Sequence, residues 1–403
     1  MAFHRLLVTL GLVVLGNSSM YVVSVVLPAV QSEFGIGRAS ASMPYTLMMV
    51  CLGLGGLLTG KLADRYGLTP VLWLGALAVL GGFVGAAFSG SIWAFGLAHA
   101  VMGFIGSSAT FAPLLADTAL WWNRRRGIAV AVCASGNYVA GALWPPIVQY
   151  GIDTIGWRPT YMALGVVCGV GMLALSMRMR QRPPAIVATA ASTGPVAAVD
   201  RSRPFGLAPG LALALLFTAG VACCVAMAMP QVHIVAYCTD LGFGAARGAQ
   251  MLSLMLACGI VSRLVFGLIC DRIGGIRTLL LGSALQGVAL LLFLPYDGLV
   301  PLFVISGLFG LFQGGIVPTY AIIVREYFPL QRASVLVGAV IMATLIGMAL
   351  GGWLSGWIFD VTGSYRAAFL NGIGWNLLNL VIAGTLYWRQ RQLPARSVQP
   401  SGA

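Results

Sequence analysis

One arginine stands where a charge is hardest to place. Arg263 lies inside the apolar run from Leu256 to Leu268, and Asp271 at the end of that run is about 12 Å away along a helix. A guanidinium at such depth must reach the interface, pair with an acid or face an aqueous cavity. No acid occurs at nearby helical spacing, and Gly259 and Gly267 flank Arg263 on the same helical face. An open planar fork beside small residues suits a carboxylate, which the point charge of a lysine grips less well. The competing reading is a structural pair with an acid on a distant segment.

Other polar groups inside apolar runs complete a candidate substrate-binding set. Asn137 and Tyr138 fall near the middle of one run, where an amide needs a partner and acts either as helix glue or as a hydrogen-bond donor to substrate. Tyr21, Gln313 and Tyr320 are weaker candidates for lining the same site, with interhelical hydrogen bonding as the alternative. His99 and His233 are of a type that titrates near neutral pH. His233, which follows Met227, Met229, Pro230 and Gln231, is a candidate proton-sensitive lining group or a satisfied packing histidine, and His99 is expected to pack. Trp353 and Trp357, one turn apart, read as an aromatic stripe. The eight cysteines have no metal-ligand spacing, and no Walker loop, dinucleotide fingerprint, H-E-x-x-H or G-x-S-x-G element stands in the required context. No cofactor or metal is expected, and the chain does not read as an enzyme.

The elements that hold these residues follow from composition. Of 403 residues, 59% are hydrophobic and 8% charged, against about 25% charged in an average soluble domain. The 33 formal charges cannot cover soluble domains of this length. With 53 glycines, 19 prolines and a mean hydropathy of +0.93, the composition is that of an all-α polytopic membrane protein. The net charge of +13 lies between apolar segments rather than on one face, which points to membrane orientation and away from nucleic acid.

Charge-free gaps mark twelve expected spans, because a charge at mid-bilayer costs roughly 2.5–3.5 kcal/mol on insertion scales. They cover residues 6–30, 41–62, 70–89, 92–116, 127–149, 159–177, 208–236, 248–270, 278–295, 299–323, 333–358 and 367–388, with Lys61 at the very end of the second and Arg263 well inside the eighth as the exceptions. Of the Lys and Arg other than Arg263, eighteen fall on one side of this layout, whereas Arg38, Arg158, Arg247 and Arg366 fall on the other. Short cytoplasmic loops retain positive charge, so both termini are expected in the cytoplasm, in a bacterial inner membrane. The expected organisation is a six-helix bundle over 1–178, a cytoplasmic linker over 179–205, a second six-helix bundle over 206–390 and a cytoplasmic tail over 391–403, working as a monomer.

The halves repeat. Gly60 to Gly67 and Gly267 to Gly274 share G-x-x-x-D-R-x-G at a displacement of 207. The segments opening at Trp157 and Tyr365 lie 208 apart, and Pro113 and Pro318 lie 205 apart. An even number of helices per unit gives both units one orientation, with a pseudo-axis along the membrane normal. Within the repeated motif the aspartate can accept from a neighbouring helix N-terminus or an arginine, and the arginine can stay among headgroups. Asp64, Arg65, Asp271 and Arg272 are therefore candidate gating residues, joined by Asp117 and Arg126, since Asp117 is expected to pair with one of Arg124 to Arg126 or with the motif. Glu326 is placed similarly in the second half.

The paired motifs and the twelve-span layout resemble a major facilitator superfamily transporter, over practically all of residues 1 to 390. Trp121 to Ala129, followed by Gly136, resembles the stretch between spans four and five of monocarboxylate and oxalate/formate transporters, and Ser262 to Gly267 resembles their eighth-span arginine segment. The resemblance implies a small organic anion, above all a monocarboxylate, held by one fixed cation and carried by alternating access with proton symport or anion exchange. Two departures bear on coupling: Gly259 stands where the group commonly has a carboxylate, and Lys61, the single lysine, lies in the loop motif rather than in the first span. An efflux carrier for a larger hydrophobic compound and a non-transporting membrane sensor are the alternatives.

Overall fold

A computed structural model describes residues 2–122, 126–180, 203–329 and 332–392. Most of the expected linker and tail, and Arg124 and Arg125, lie outside the described residues, as does the side chain of Arg126. Twelve helices are long and apolar enough to span a membrane. They are α1 (Phe3–Phe34), α2 (Arg38–Tyr66), α3 (Leu68–Ala87), α4 (Ile92–Trp121), α5 (Ile128–Ile155), α6 (Trp157–Met179), α7 (Pro209–Asp240), α8 (Ala245–Ile273), α9 (Gly275–Leu292), α10 (Leu299–Tyr327), α11 (Val335–Thr362) and α12 (Tyr365–Gln392).

Each expected span coincides with one helix, and several helices run further than the charge-free gaps. The reason is that charged residues occupy helix ends, as Arg38 does at the start of α2 and Asp240 at the end of α7. Breaks of one to a few residues join most neighbours, at Gly67, Gly156, Gly244 and Gly274 with φ between 82° and 87°. Such left-handed backbone is available to glycine at no steric cost. Neighbouring helices are therefore antiparallel. One face carries the beginning of α1 beside the end of α6, where Arg5 donates to the Met179 carbonyl at 3.5 Å; we call it the termini face.

Across the middle, α2 packs on α11, α5 on α8 and α1 on α7, forming a seam between the first six helices and the last six. Inside each half the same close approach occurs twice. A Cβ on Gly103 in α4 would run into the Met48 carbonyl of α2, and one on Gly310 in α10 into the Met255 carbonyl of α8. Both members of this contact are displaced by 207.

α4 and α10 are interrupted at matching places. α4 contains a π-helical turn over Met102–Ser107 before its last segment Ala112–Trp121, and α10 breaks at Gly314 and Gly315 before restarting at Ile316. Pro113 and Pro318 follow these breaks. A proline lacks the N–H that would bond the carbonyl four residues back, and its ring crowds that carbonyl. Pro318 thereby releases the Gly314 carbonyl from α10, and Pro146 releases that of Ala142 from α5.

Candidate functional site

Both released carbonyls face the seam. Ala142 accepts from the Ser253 hydroxyl of α8. Gly314 is approached at 3.5 Å by the Tyr138 hydroxyl of α5 and at 3.5 Å by Arg263 Nε of α8. Arg263 sits about 15 Å from the termini-face end of α8, half-buried, and its Nη1 donates to the Ala134 carbonyl at 2.7 Å. Its guanidinium carbon lies 4.5 Å from the centre of the Tyr138 ring.

No carboxylate takes part. The ion pairs among the described residues are Arg5 with Asp117, Arg38 with Asp240 and Arg158 with Glu33. Carbonyl dipoles and an aromatic face stabilise a cation without neutralising it. The arginine of the seam thus keeps its full charge at a depth where charge is costly.

Gly259, one turn before Arg263, explains how Tyr138 comes to lie there. A Cβ on Gly259 would collide with the edge of the Tyr138 ring, so the ring occupies the space a side chain would need. Tyr21 of α1 packs beside this group, because both its ring and Leu256 press on Gly141, one turn beyond Tyr138. Among the described residues, Asn137 Oδ1 and Ser262 Oγ are buried without a hydrogen-bond partner. Gln313, next to the α10 break, accepts from Gln231 Nε2 at 3.0 Å and leaves its own Nε2 without one. Buried polar atoms of this kind are exceptional, and here three of them belong to residues next in sequence to Tyr138, Arg263 and Gly314.

Two expected lining residues are not brought to Arg263. Tyr320 points into the last six helices, where its hydroxyl donates to Asn379 Oδ1 at 2.9 Å and Asn379 in turn donates to Ser283. His233 lies near the face opposite the termini. Its Nε2 is 2.8 Å from the Gly352 carbonyl and its Nδ1 is 3.2 Å from the Tyr365 hydroxyl. A carbonyl only accepts, so Nε2 carries the proton and Nδ1 accepts from Tyr365. Both nitrogens of a neutral ring are thereby satisfied, which is the packing alternative for this histidine. His99 likewise contacts the Phe95 carbonyl at 2.9 Å and Tyr161 at 3.4 Å.

The gating candidates divide. Asp64, Arg65, Asp271 and Arg272 are exposed at the termini face and form no ion pair among the described residues. Asp117 has a different partner from those expected: Arg5 of α1 grips it with two bonds of 3.0 Å while lying 4.3 Å from the Trp121 ring centre. Glu326 accepts from the Gly275 N–H at the start of α9, at 3.1 Å. Four residues absent from the sequence-based set meet at the opposite face. Arg38 donates to Asp240 at 2.6 Å and to the Tyr365 hydroxyl at 2.9 Å, and Asp360 accepts from its backbone N–H at 2.7 Å. The signal available beforehand was the 207-residue displacement between Glu33 and Asp240.

The family model described as Major Facilitator Superfamily matches residues 8–301 and 239–401. Monocarboxylate transporter 13 of Rattus norvegicus is 28% identical over 321 residues, covering 79% of this chain and 72% of its own. Monocarboxylate transporter 11 of Mus musculus is 27% identical, covering 77% of this chain and 70% of its own. Among solved structures, that of the peptide transporter POT in complex with sulfate superposes with a TM-score of 0.75 at 14% identity, covering 96% of this chain and 95% of the other.

Proposed function

The chain belongs to the Major Facilitator Superfamily, and on that premise we propose that it carries a small organic monocarboxylate across the membrane by alternating access, with Arg263 as the anion contact. It is a transporter and not an enzyme. The halves 1–178 and 206–390 are the moving bodies in this reading, joined by 179–205 and acting within one monomer. Its setting is a cytoplasmic (inner) membrane with both termini inside, which the eighteen-to-four bias of Lys and Arg supports. The names of its relatives support the substrate class.

One observation carries the reading: Arg263 is a seam cation touched by carbonyl oxygens and a tyrosine ring, with no acid beside it. A carboxylate entering the seam would replace weak acceptors with a charge-assisted fork. The charge count fits a monoanion, because Arg5 and Arg38, the buried arginines among the described residues, are already paired. Tyr138, Tyr21 and Leu256 offer apolar surface to the rest of the molecule. Asp64 and Asp271 are proposed to engage when the termini face closes.

The experiment is direct binding and initial flux in purified Arg263→Lys and Arg263→Gln, across a panel of mono- and dicarboxylates. Arg263→Lys is expected to weaken binding and Arg263→Gln to weaken it further, with monocarboxylates preferred by the parent. Unchanged affinity and flux in Arg263→Gln for every anion would remove the assignment. Transport of large neutral compounds alone would favour the efflux alternative.

A further inference from the structure

We propose that Arg38, Asp240 and Asp360 form a latch holding the two halves together at the face opposite the termini, and that His233 serves this latch through Tyr365. A helix begins with N–H groups that lack intrahelical partners and carry partial positive charge. At the start of α2 the preceding residue is Gly37, which has no side chain to cap them. The cap comes from the other half: the Asp360 carboxylate, at the end of α11, accepts from the N–H groups of Arg38 at 2.7 Å and Ala39 at 2.9 Å. The Arg38 guanidinium then reaches Asp240 of α7 and Tyr365 of α12, and lies 4.9 Å from the Phe359 ring centre. The backbones approach closely, since a Cβ on Gly37 would strike the Asp360 carboxylate and one on Gly356 the Arg38 carbonyl.

The duplication shows that the fold does not need this arrangement to close its helix ends. Glu33 and Asp240 end α1 and α7 at a displacement of 207, and Arg158 and Arg366 open α6 and α12 at 208. In the first half the pair closes on itself: Arg158 donates to Glu33 at 2.7 Å and Trp157 Nε1 donates to the same carboxylate. In the second half Asp240 instead takes Arg38 from across the seam. Asp153 and Asp360 are also 207 apart, yet Asp153 accepts from Gln149 of its own helix at 2.8 Å, and α8 opens with Ala245 where α2 opens with Arg38. One diagonal of the seam has a charged clasp that its repeat lacks.

The clasp is built to open. The Arg38 side chain is 8% exposed but that of Asp240 is 33% exposed, so water reaches the acid and keeps the pair breakable. Beneath it the α2–α11 seam stays shut at Thr46, which donates to the Ala349 carbonyl at 2.9 Å, and at Gly53, which abuts Met342. Further on, a Cβ on Gly60 or Gly338 would meet nothing within 4 Å among the described residues. The halves are clasped at one face, while Gly60 and Gly338 nearer the other have no neighbour against them among the described residues, an asymmetry that suits alternation between two accessible states. His233 extends the clasp inward: Arg38 donates to Tyr365, Tyr365 to His233, and His233 to Gly352, which fixes the orientation of each donor.

The latch rests on the two moving halves of the proposed function and not on its substrate. It is tested by thiol accessibility in a cysteine-depleted, reconstituted protein. Thr46→Cys reports the seam below the latch, and Gly338→Cys reports the termini face, each labelled with an impermeant maleimide from its own side. Asp240→Asn and Asp360→Asn are expected to speed labelling of Thr46→Cys by about tenfold and to slow that of Gly338→Cys, with Arg38→Lys intermediate. His233→Gln is expected to move the two rates the same way without changing anion affinity. Unchanged rates at both positions, or acceleration at both together through general loosening, would overturn the latch. Unchanged anion affinity in Arg263→Gln with the latch response intact would leave this inference standing alone, and a latch failure with anion binding lost in Arg263→Gln would leave the substrate assignment standing.

Discussion

Charge burial at single residues has opposite meanings in this chain, and the difference is measurable. Arg5 and Asp117 are both buried and satisfy one another through two hydrogen bonds, so removing either member strands a charge. Asp117→Asn is expected to cost about 3 kcal/mol of stability, seen as a lower unfolding temperature in detergent. Arg263 has no acid to strand, so Arg263→Gln is expected to leave that temperature nearly unchanged while weakening anion binding more than Arg263→Lys does. Gly259 supplies a second contrast. Gly259→Ala places a methyl group against the Tyr138 ring, which must shift away from the guanidinium, and flux is expected to fall by about tenfold; removal of the ring in Gly259→Ala with Tyr138→Ala should restore part of it. Full activity in Gly259→Ala would show that the ring position does not matter.

Helices, rather than residues, decide which of these groups meet, and here sequence reading reaches its limit. The twelve spans were legible because insertion cost is additive along a chain, and Arg263 stood out as the one charge far from either end of a span. The partner of Asp117 was not legible, because Arg5 lies 112 residues away and the nearby arginines Arg124 to Arg126 were better candidates on spacing alone. The choice between the two readings of His233 was not legible for the same reason: its neighbours Met229 and Gln231 describe a helix face, while Tyr365 and Gly352, which satisfy it as a packing histidine, belong to α12 and α11. Pro113 and Pro318 were visible as a repeated pair, but the use made of a released carbonyl appears only once α10 lies against α8. Pro318→Ala restores an N–H four residues after Gly314 and should return that carbonyl to the helix. The expected outcome is higher thermal stability with slower flux and little change in anion affinity. Flux equal to the parent would mean that the break in α10 has no part in the motion.

At the scale of the whole molecule, the repeat makes the two halves alike in orientation but unlike in charge. The counterpart of Arg263 at a displacement of 207 is Gly56, so beside the paired Arg38 the seam holds one cation that no acid balances among the described residues. When the halves rock with the site empty, that cation must pass through a closed, poorly hydrated seam, at a cost of several kcal/mol. With a monocarboxylate bound the same step moves a neutral pair. Gly259 leaves no carboxylate one turn away that a proton could neutralise in alternation with the anion, and His233 is occupied at the latch. We therefore propose that the loaded carrier reorients much faster than the empty one, with exchange of one anion for another as the favoured cycle over proton symport. In proteoliposomes, uptake of labelled monocarboxylate is expected to require an internal counter-anion and to fall by at least about tenfold without it. An imposed pH gradient should not drive accumulation on its own. Uphill uptake powered by that gradient into vesicles lacking counter-anion would refute the exchange cycle, and would require a proton to travel on the substrate itself or on a group other than His233.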